Sequence, residues 1–153
     1  ICEAIKEIVD SYSDIEVVYP VHLNPKVRET VMKMLEKNPK IHLIDPIDVE
    51  DMHNLMARSY LVMTDSGGIQ EEAPSCGIPV VVLRNETERR EAIEAGTVLL
   101  AGTKREDIVR EVKLLIEDGV KYQEMARAVN PYGDGHASER IVEALFLYFG
   151  GKE

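Results

Sequence analysis

Four groups of residues in this chain have the types and spacing to work on an anionic ligand. The first is Ser66-Gly67-Gly68, inside the string YLVMTDSGGIQEE over residues 60–72. Residues 60–64 are a short apolar run that reads as a buried strand. Residues 69–73 read as the first turns of a helix, with Ser66 as its N-cap. A strand, a Gly-Gly turn and a helix start present unpaired N–H groups at the positive end of a helix dipole. Glycines carry no Cβ, so a phosphate can approach the backbone closely there. The string matches neither the G-x-x-x-x-G-K-[ST] nor the G-x-G-x-x-G pattern. A capped tight turn therefore stands as the alternative reading of the same residues.

The other three groups are carboxylates, arginines and a histidine. Glu71 and Glu72 are adjacent, which sets them about 100° apart on a helix. They do not face each other across a substrate as a glycosidase pair must. One suits a helix-start carboxylate favoured by the dipole; the other can accept both hydroxyls of a ribose. Arg84, Arg89 and Arg90 can pair with a diphosphate, or equally with some of the 28 acidic residues of the chain. His22, in the string PVHLNP, is either a donor to a phosphate or sugar or a loop histidine satisfied by backbone. Ser66 lacks the G-x-S-x-G of a nucleophile elbow. His42, His53 and His136 are scattered and read as structural. No C-x-x-C or His-Cys cluster points to zinc, so neither a metal nor a cofactor is expected.

These residues need elements to position them. Ile5, Ile8 and Val9 share one face of a helix over residues 1–12. A strand follows over 15–19, then a loop holding His22. Asn24 caps the next helix, with Pro25 at its first position. Residues 41–44 make a strand, stopped by Asp45-Pro46, and 51–58 a short helix with Met52, Leu55 and Met56 as its apolar face. The strand over 60–64 leads into the Gly-Gly loop, and Pro74 should shorten or kink the helix behind it. Residues 79–83 form another buried strand, 84–89 a polar loop, 90–95 a helical turn stopped by Gly96, and 97–100 the last strand. Ile108, Val109, Val112, Leu115 and Ile116 mark an amphipathic helix ending near Gly119. Residues 122–129 read as helix and 130–135 as a turn cluster. Ile141, Val142, Leu145 and Phe149 place a final helix up to Gly150.

Strands alternate with helices five times, and the strands are continuous apolar runs. That pattern predicts an α/β fold: a Rossmann-like parallel sheet covered by helices on both faces. Ligands bind beyond the C-terminal strand ends of such sheets. The loops at 22–24, 65–68 and 84–89 all leave such ends and should share one rim.

Composition narrows the classes. The chain has 153 residues and 44% hydrophobic content, which suits one domain over residues 1–153 with a proper core. No apolar run is long enough to span a membrane. The net charge of −10 argues against general nucleic-acid binding. Any phosphate must then be held by local groups rather than by the field of the whole protein. Cys2 and Cys76 suit a reduced, cytoplasmic protein better than a disulfide scaffold. The chain opens at Ile1 without a signal-peptide pattern, which suggests a piece of a longer protein.

Five strings taken together carry a resemblance. YPVHLNP (19–25), TDSGGIQEEAP (64–74), TER-x-E (87–91), EAGT (94–97) and NPYGDG (130–135) occur in this order. They closely resemble the C-terminal half of the non-hydrolysing UDP-N-acetylglucosamine 2-epimerases, over essentially the whole chain. The resemblance implies one of two Rossmann-like domains in a GT-B-type enzyme, with the active site in the cleft between them. It implies interconversion of UDP-GlcNAc and UDP-ManNAc by elimination and re-addition of UDP, in the cytoplasm, by a homodimer. It further implies that Ser66, Gly67 and Gly68 hold the diphosphate and that Glu72 binds the ribose. His22 and Arg89 would act at the phosphates or sugar, and Met52 with the Asp45-Pro46 turn would flank the uracil. The carboxylates that act at C2 would lie in an N-terminal half outside this chain, leaving the isolated fragment inactive. One departure is visible: the family's TERPE is TERRE here, with Arg90 in place of proline, which frees the loop that aims Arg89. The C-terminal domain of a hydrolysing epimerase or of a GT-B glycosyltransferase is the competing expectation, and a UDP-sugar-binding regulatory module the non-enzyme one.

Overall fold

The computed structural model describes residues 1–150. Five short strands run through it: β1 (Val17–Pro20), β2 (Ile41–Ile44), β3 (Val62–Thr64), β4 (Val80–Val82) and β5 (Val98–Leu100). Eight helices separate or follow them: α1 (Cys2–Ser11), α2 (Pro25–Leu35), α3 (Val49–Ala57), α4 (Gly67–Glu72), α5 (Arg90–Glu94), α6 (Arg105–Glu117), α7 (Gly119–Ala126) and α8 (Ala137–Gly150). Every strand pair is parallel. The ladders run β1–β2, with Val17 opposite Ile41, and β3–β4–β5, with Val62 opposite Val80 and Val80 opposite Val98. The expected single sheet is thus divided between β1 and β3 into ladders of two and three strands. Side chains span the division. Met63 of β3 packs against the cores on both sides of it.

β4 shows why a continuous apolar run folds this way. Val80, Val81 and Val82 are all fully buried. The period of two sends Val81 and Leu83 toward α1, α6 and α7, where they meet Ile8, Ile108, Val112 and Met125. It sends Val80 and Val82 to the opposite face, against Met56 of α3, Ala73 and Ala92 of α5. Each fully buried valine contributes about 1.5–3 kcal/mol, and a polar residue there would cost stability unless it found a hydrogen-bond partner inside the core. A third core joins Ile5 and Val9 of α1 to Val31 and Leu35 of α2 under the β1–β2 ladder.

Local signals set the helix ends. The Asn24 side chain accepts from the Lys26 N–H, with Pro25 at the first helical position. Pro74 does shorten its helix. α4 stops at Glu72, and the chain tightens into a 3₁₀ turn over Ala73–Cys76 that Gly77 closes with φ +70°. Two starts lie earlier than the apolar pattern suggested, because aspartates cap them. Asp48 accepts from the Asp51 N–H at 2.9 Å and begins α3 at Val49. Asp118 accepts from the Val120 and Lys121 N–H groups at 3.0 Å each. Gly119 therefore opens α7 rather than closing α6.

Candidate functional site

Ser66 is fixed at both ends of its backbone. Its N–H donates to Thr64 Oγ1 at 3.0 Å, and its carbonyl accepts from Gln70 Nε2 at 3.1 Å. It occupies the N-cap position of α4 with extended backbone, φ −76° and ψ 132°, yet its side chain makes no cap hydrogen bond. The hydroxyl is thus not spent on the helix and stays free beside the first N–H groups of α4.

The glycines behind it are not a turn device. Neither Gly67 nor Gly68 has a positive φ; both are helical residues opening α4. A Cβ at either would press on the end of a long side chain. A Cβ on Gly67 would sit 2.6 Å from Arg89 Cζ and Nη2. A Cβ on Gly68 would sit 3.2 Å from a Glu72 carboxylate oxygen. Side chains approach both glycines closely, and the group nearest Gly67 is a guanidinium.

Arg89 lies on Gly67 and is held from three directions. Its Nε donates to Glu71 Oε1 at 2.6 Å, Nη1 donates to the Glu88 carboxylate, and its backbone N–H donates to Thr87 Oγ1 at 3.1 Å. The hydrogen bond to Glu71, aided by the charge of both carboxylates, pushes the guanidinium pKa up and keeps the cation charged. The side chain is only 23% exposed. Among the described residues Nη2, which lies against Gly67, has no hydrogen-bond partner. Arg84 takes the surface alternative instead. It faces Glu88 at 3.3 Å with the Glu88 side chain 62% exposed, a pair worth little. Arg90 is the first residue of α5. The proline that the resemblance led one to expect here would also fit, since a missing N–H costs nothing at a first helical position.

Glu71 and Glu72 separate as adjacent helical residues should. Glu71 grips Arg89, while Glu72 Oε2 meets His53 Nε2 at 2.9 Å. His42 and His136 make like pairs with Glu16 and Glu139, so the contact alone does not set apart His53. α3 carries it to the same rim. Its neighbour Met52 is partly buried and packs against the core formed by Met56, Ala73 and the β4 valines. Asp45, at the turn expected to flank a base, pairs with Arg28 at 2.7 Å. His22 stands apart. It is exposed, and its Nδ1 accepts from the Asn24 N–H at 3.0 Å, which leaves Nε2 to carry the proton in the neutral ring.

Sequence reasoning missed the clamp behind α4. Asn130 Nδ2 donates to the Glu71 carbonyl at 2.9 Å and lies 2.6 Å from Ser75 Oγ, tying the 130–135 turn to the helix that carries the site. An asparagine before a proline signals a turn, but nothing in its spacing signals which helix it holds.

A parallel α/β domain with ligand-facing loops expected at its strand ends belongs to the class of Rossmann-like domains. Comparisons with known proteins give the family. The family model for UDP-N-acetylglucosamine 2-epimerase matches residues 1–146, and the chain belongs to that family. The Bacillus subtilis UDP-N-acetylglucosamine 2-epimerase is 53% identical over 148 residues, which is 97% of this chain and 39% of that protein. The S. aureus MnaA–UDP co-structure superposes with a TM-score of 0.92 at 50% identity, covering 97% of this chain and 41% of that one. The Neisseria meningitidis UDP-GlcNAc 2-epimerase bound to UDP-GlcNAc superposes at 0.91 with 45% identity, covering 96% of this chain and 40% of that one. The chain thus spans about two fifths of the length of these relatives. No described helix is long and apolar enough to cross a membrane.

Proposed function

We propose that this chain is the UDP-binding, C-terminal domain of a non-hydrolysing UDP-GlcNAc 2-epimerase with GT-B architecture. The observation that carries the reading is the Arg89 guanidinium seated on Gly67, beside a Ser66 hydroxyl that caps nothing. In the proposed reaction the C1–O bond to UDP and the C2–H bond both break. The electron pair of the C1–O bond leaves on the β-phosphate oxygen, and the C2 proton goes to a base supplied from outside this chain. Re-addition of UDP and return of a proton to the other face of C2 complete the epimerisation.

The residues here would serve the leaving group. A cation already held in place by Glu71 and Glu88 needs no reorganisation as charge develops on the phosphate, which is where preorganised donors lower a barrier most. Ser66 adds a hydroxyl and α4 its first N–H groups. Glu72 would accept the ribose hydroxyls, with His53 orienting its carboxylate. Met52 would form the apolar floor of the uracil side, and His22 would donate from Nε2 toward the phosphate or sugar at the edge of the rim. The working enzyme would be a cytoplasmic homodimer with the cleft closed by a second domain.

The test is an NMR assay of UDP-GlcNAc turnover by the full-length protein and by this fragment. UDP-ManNAc from the full-length protein and none from the fragment is expected. Free ManNAc in place of UDP-ManNAc would favour a hydrolysing epimerase. Turnover by the fragment at the full-length rate would place the C2 bases within these residues.

A further inference from the structure

Gln70 is a polar residue in a place where polar side chains are rare. It is fully buried, and Thr64 and Thr97 are the other buried polar residues among those described. A buried amide must satisfy both its ends or cost stability. Gln70 does so by bridging two loops that leave different strands. Nε2 donates to the Ser66 carbonyl at 3.1 Å, after β3. Oε1 accepts from Thr87 Oγ1 at 2.9 Å, after β4. Thr87 Oγ1 in turn accepts the Arg89 N–H at 3.1 Å.

The chemistry of these groups allows one polarity only. The Ser66 carbonyl accepts and never donates, so the amide nitrogen must face it. The amide oxygen then faces Thr87, whose hydroxyl proton must point to it. The Thr87 oxygen is left with lone pairs for the Arg89 N–H. From Arg89 to Ser66 every donor has one acceptor, with no freedom to reverse the chain. The two residues proposed to meet the diphosphate are therefore locked to each other through the fully buried Gln70 and the part-buried Thr87.

We infer that Gln70 and Thr87 are positioning residues for phosphate recognition, setting the Arg89 backbone relative to Ser66 so that guanidinium and hydroxyl address one diphosphate together. The inference rests on the UDP reading above. Glu71 fixes the far end of the Arg89 side chain; Gln70 and Thr87 fix its root. With the root free, the guanidinium would still be charged but would have to find its place on binding. A fraction of the binding energy would then go to ordering.

The experiment uses the full-length protein, with UDP affinity by calorimetry, kcat and KM for UDP-GlcNAc, and a thermal melt for each variant. Thr87→Val keeps the shape and removes the hydroxyl. It should weaken UDP about tenfold, since one hydrogen-bonded link in a buried chain and its partner are lost together. Thr87→Ser, which keeps the hydroxyl, should restore the affinity to within about twofold, a rescue that loss of packing alone would not give. Gln70→Leu should match Thr87→Val. If that variant fails to fold, the threonine pair decides alone. The decisive arm is a double-mutant cycle with Arg89→Ala. If Thr87 acts through Arg89, Thr87→Val should change UDP affinity by less than about twofold once Arg89 is gone. An undiminished effect in that background, or a Thr87→Val protein with normal affinity, overturns the inference. If Arg89→Ala alone leaves UDP affinity unchanged, it is the UDP reading of the site that fails.

Discussion

Two stretches at strand ends in this domain carry residues suited to a phosphate, and they are built in opposite ways. The first, the loops after β3 and β4 with α4 between them, is wired. Ser66, Gln70, Thr87, Arg89, Glu71 and Asn130 form a connected set of hydrogen bonds, with an arginine 23% exposed at its face. The loop after β1 is local. His22 is exposed and shares one hydrogen bond with Asn24, two residues away, while Asn24 caps its own helix. Position at a strand end gives both stretches access to a ligand. Only the first is organised before a ligand arrives. Preorganisation lowers the entropy cost of binding, so the two stretches should differ in how much each side chain matters.

The largest effect should come from crowding the wired stretch. Gly67→Ala places a Cβ 2.6 Å from the Arg89 guanidinium, which must then move off its seat. The position is helical without positive φ, so alanine costs the backbone nothing and gains up to about 1 kcal/mol of helix propensity. Affinity and stability should therefore part company. UDP binding to the full-length protein is expected to fall tenfold or more, with the melting temperature unchanged or slightly higher. A variant that melts early and binds UDP normally would mean that the guanidinium seat is a packing detail. Gly68→Ala meets only the end of the Glu72 side chain, at 3.2 Å, and should lose less.

His22→Ala tests the other side of the comparison. Because the loop after β1 is exposed and locally satisfied, the variant is expected to weaken UDP by about threefold or less, with the fold intact. Calorimetry beside the Gly67 variant reads both on one scale. A loss equal to that of Gly67→Ala would show that the wiring of the first stretch gives it no advantage.

The same contrast explains what was legible in the residues. Strands and helices followed from apolar runs such as 80–82 and from the 3.6-residue face of α6, because those patterns are burial patterns. Ser66, Gly67, Gly68, Glu72 and Arg89 were singled out as a candidate group through the strand-end rule and the family strings. Gln70, Thr87 and Asn130 were not, because their roles are contacts 17 to 59 residues apart in sequence, and a polar residue inside a helix looks solvated until its neighbours are known. The His53–Glu72 contact was not legible for the same reason, since its partners lie 19 residues apart. α8 shows the limit from the other direction. Ile141, Val142, Leu145 and Phe149 do form one helix, yet none is buried in this chain, with Phe149 66% exposed. Amphipathic spacing specifies a helix without specifying what covers it.

The smallest effect expected is electrostatic and asks whether Arg89 organises its own surroundings. Glu88 has its pKa held below the usual glutamate range, first by its own backbone N–H and then by the charges of Arg89 and Arg84. A carboxyl whose pKa is lower in the folded chain than in the unfolded one stabilises the fold above the unfolded value. That contribution is lost as pH falls through the folded value. Because Glu88 is exposed, the contribution to stability is small, and titration is the sharper readout. In full-length protein with ¹³C-carboxyl glutamate, assigned by Glu88→Gln, the Glu88 midpoint should lie below the usual range. Arg89→Ala should move it only part of the way back, since the backbone hydrogen bond is the larger cause and survives the substitution. A complete return would make Arg89 the dominant cause. No movement would mean that the Arg89–Glu88 contact has no electrostatic weight, and the wired stretch would then rest on Glu71, Gln70 and Thr87 alone.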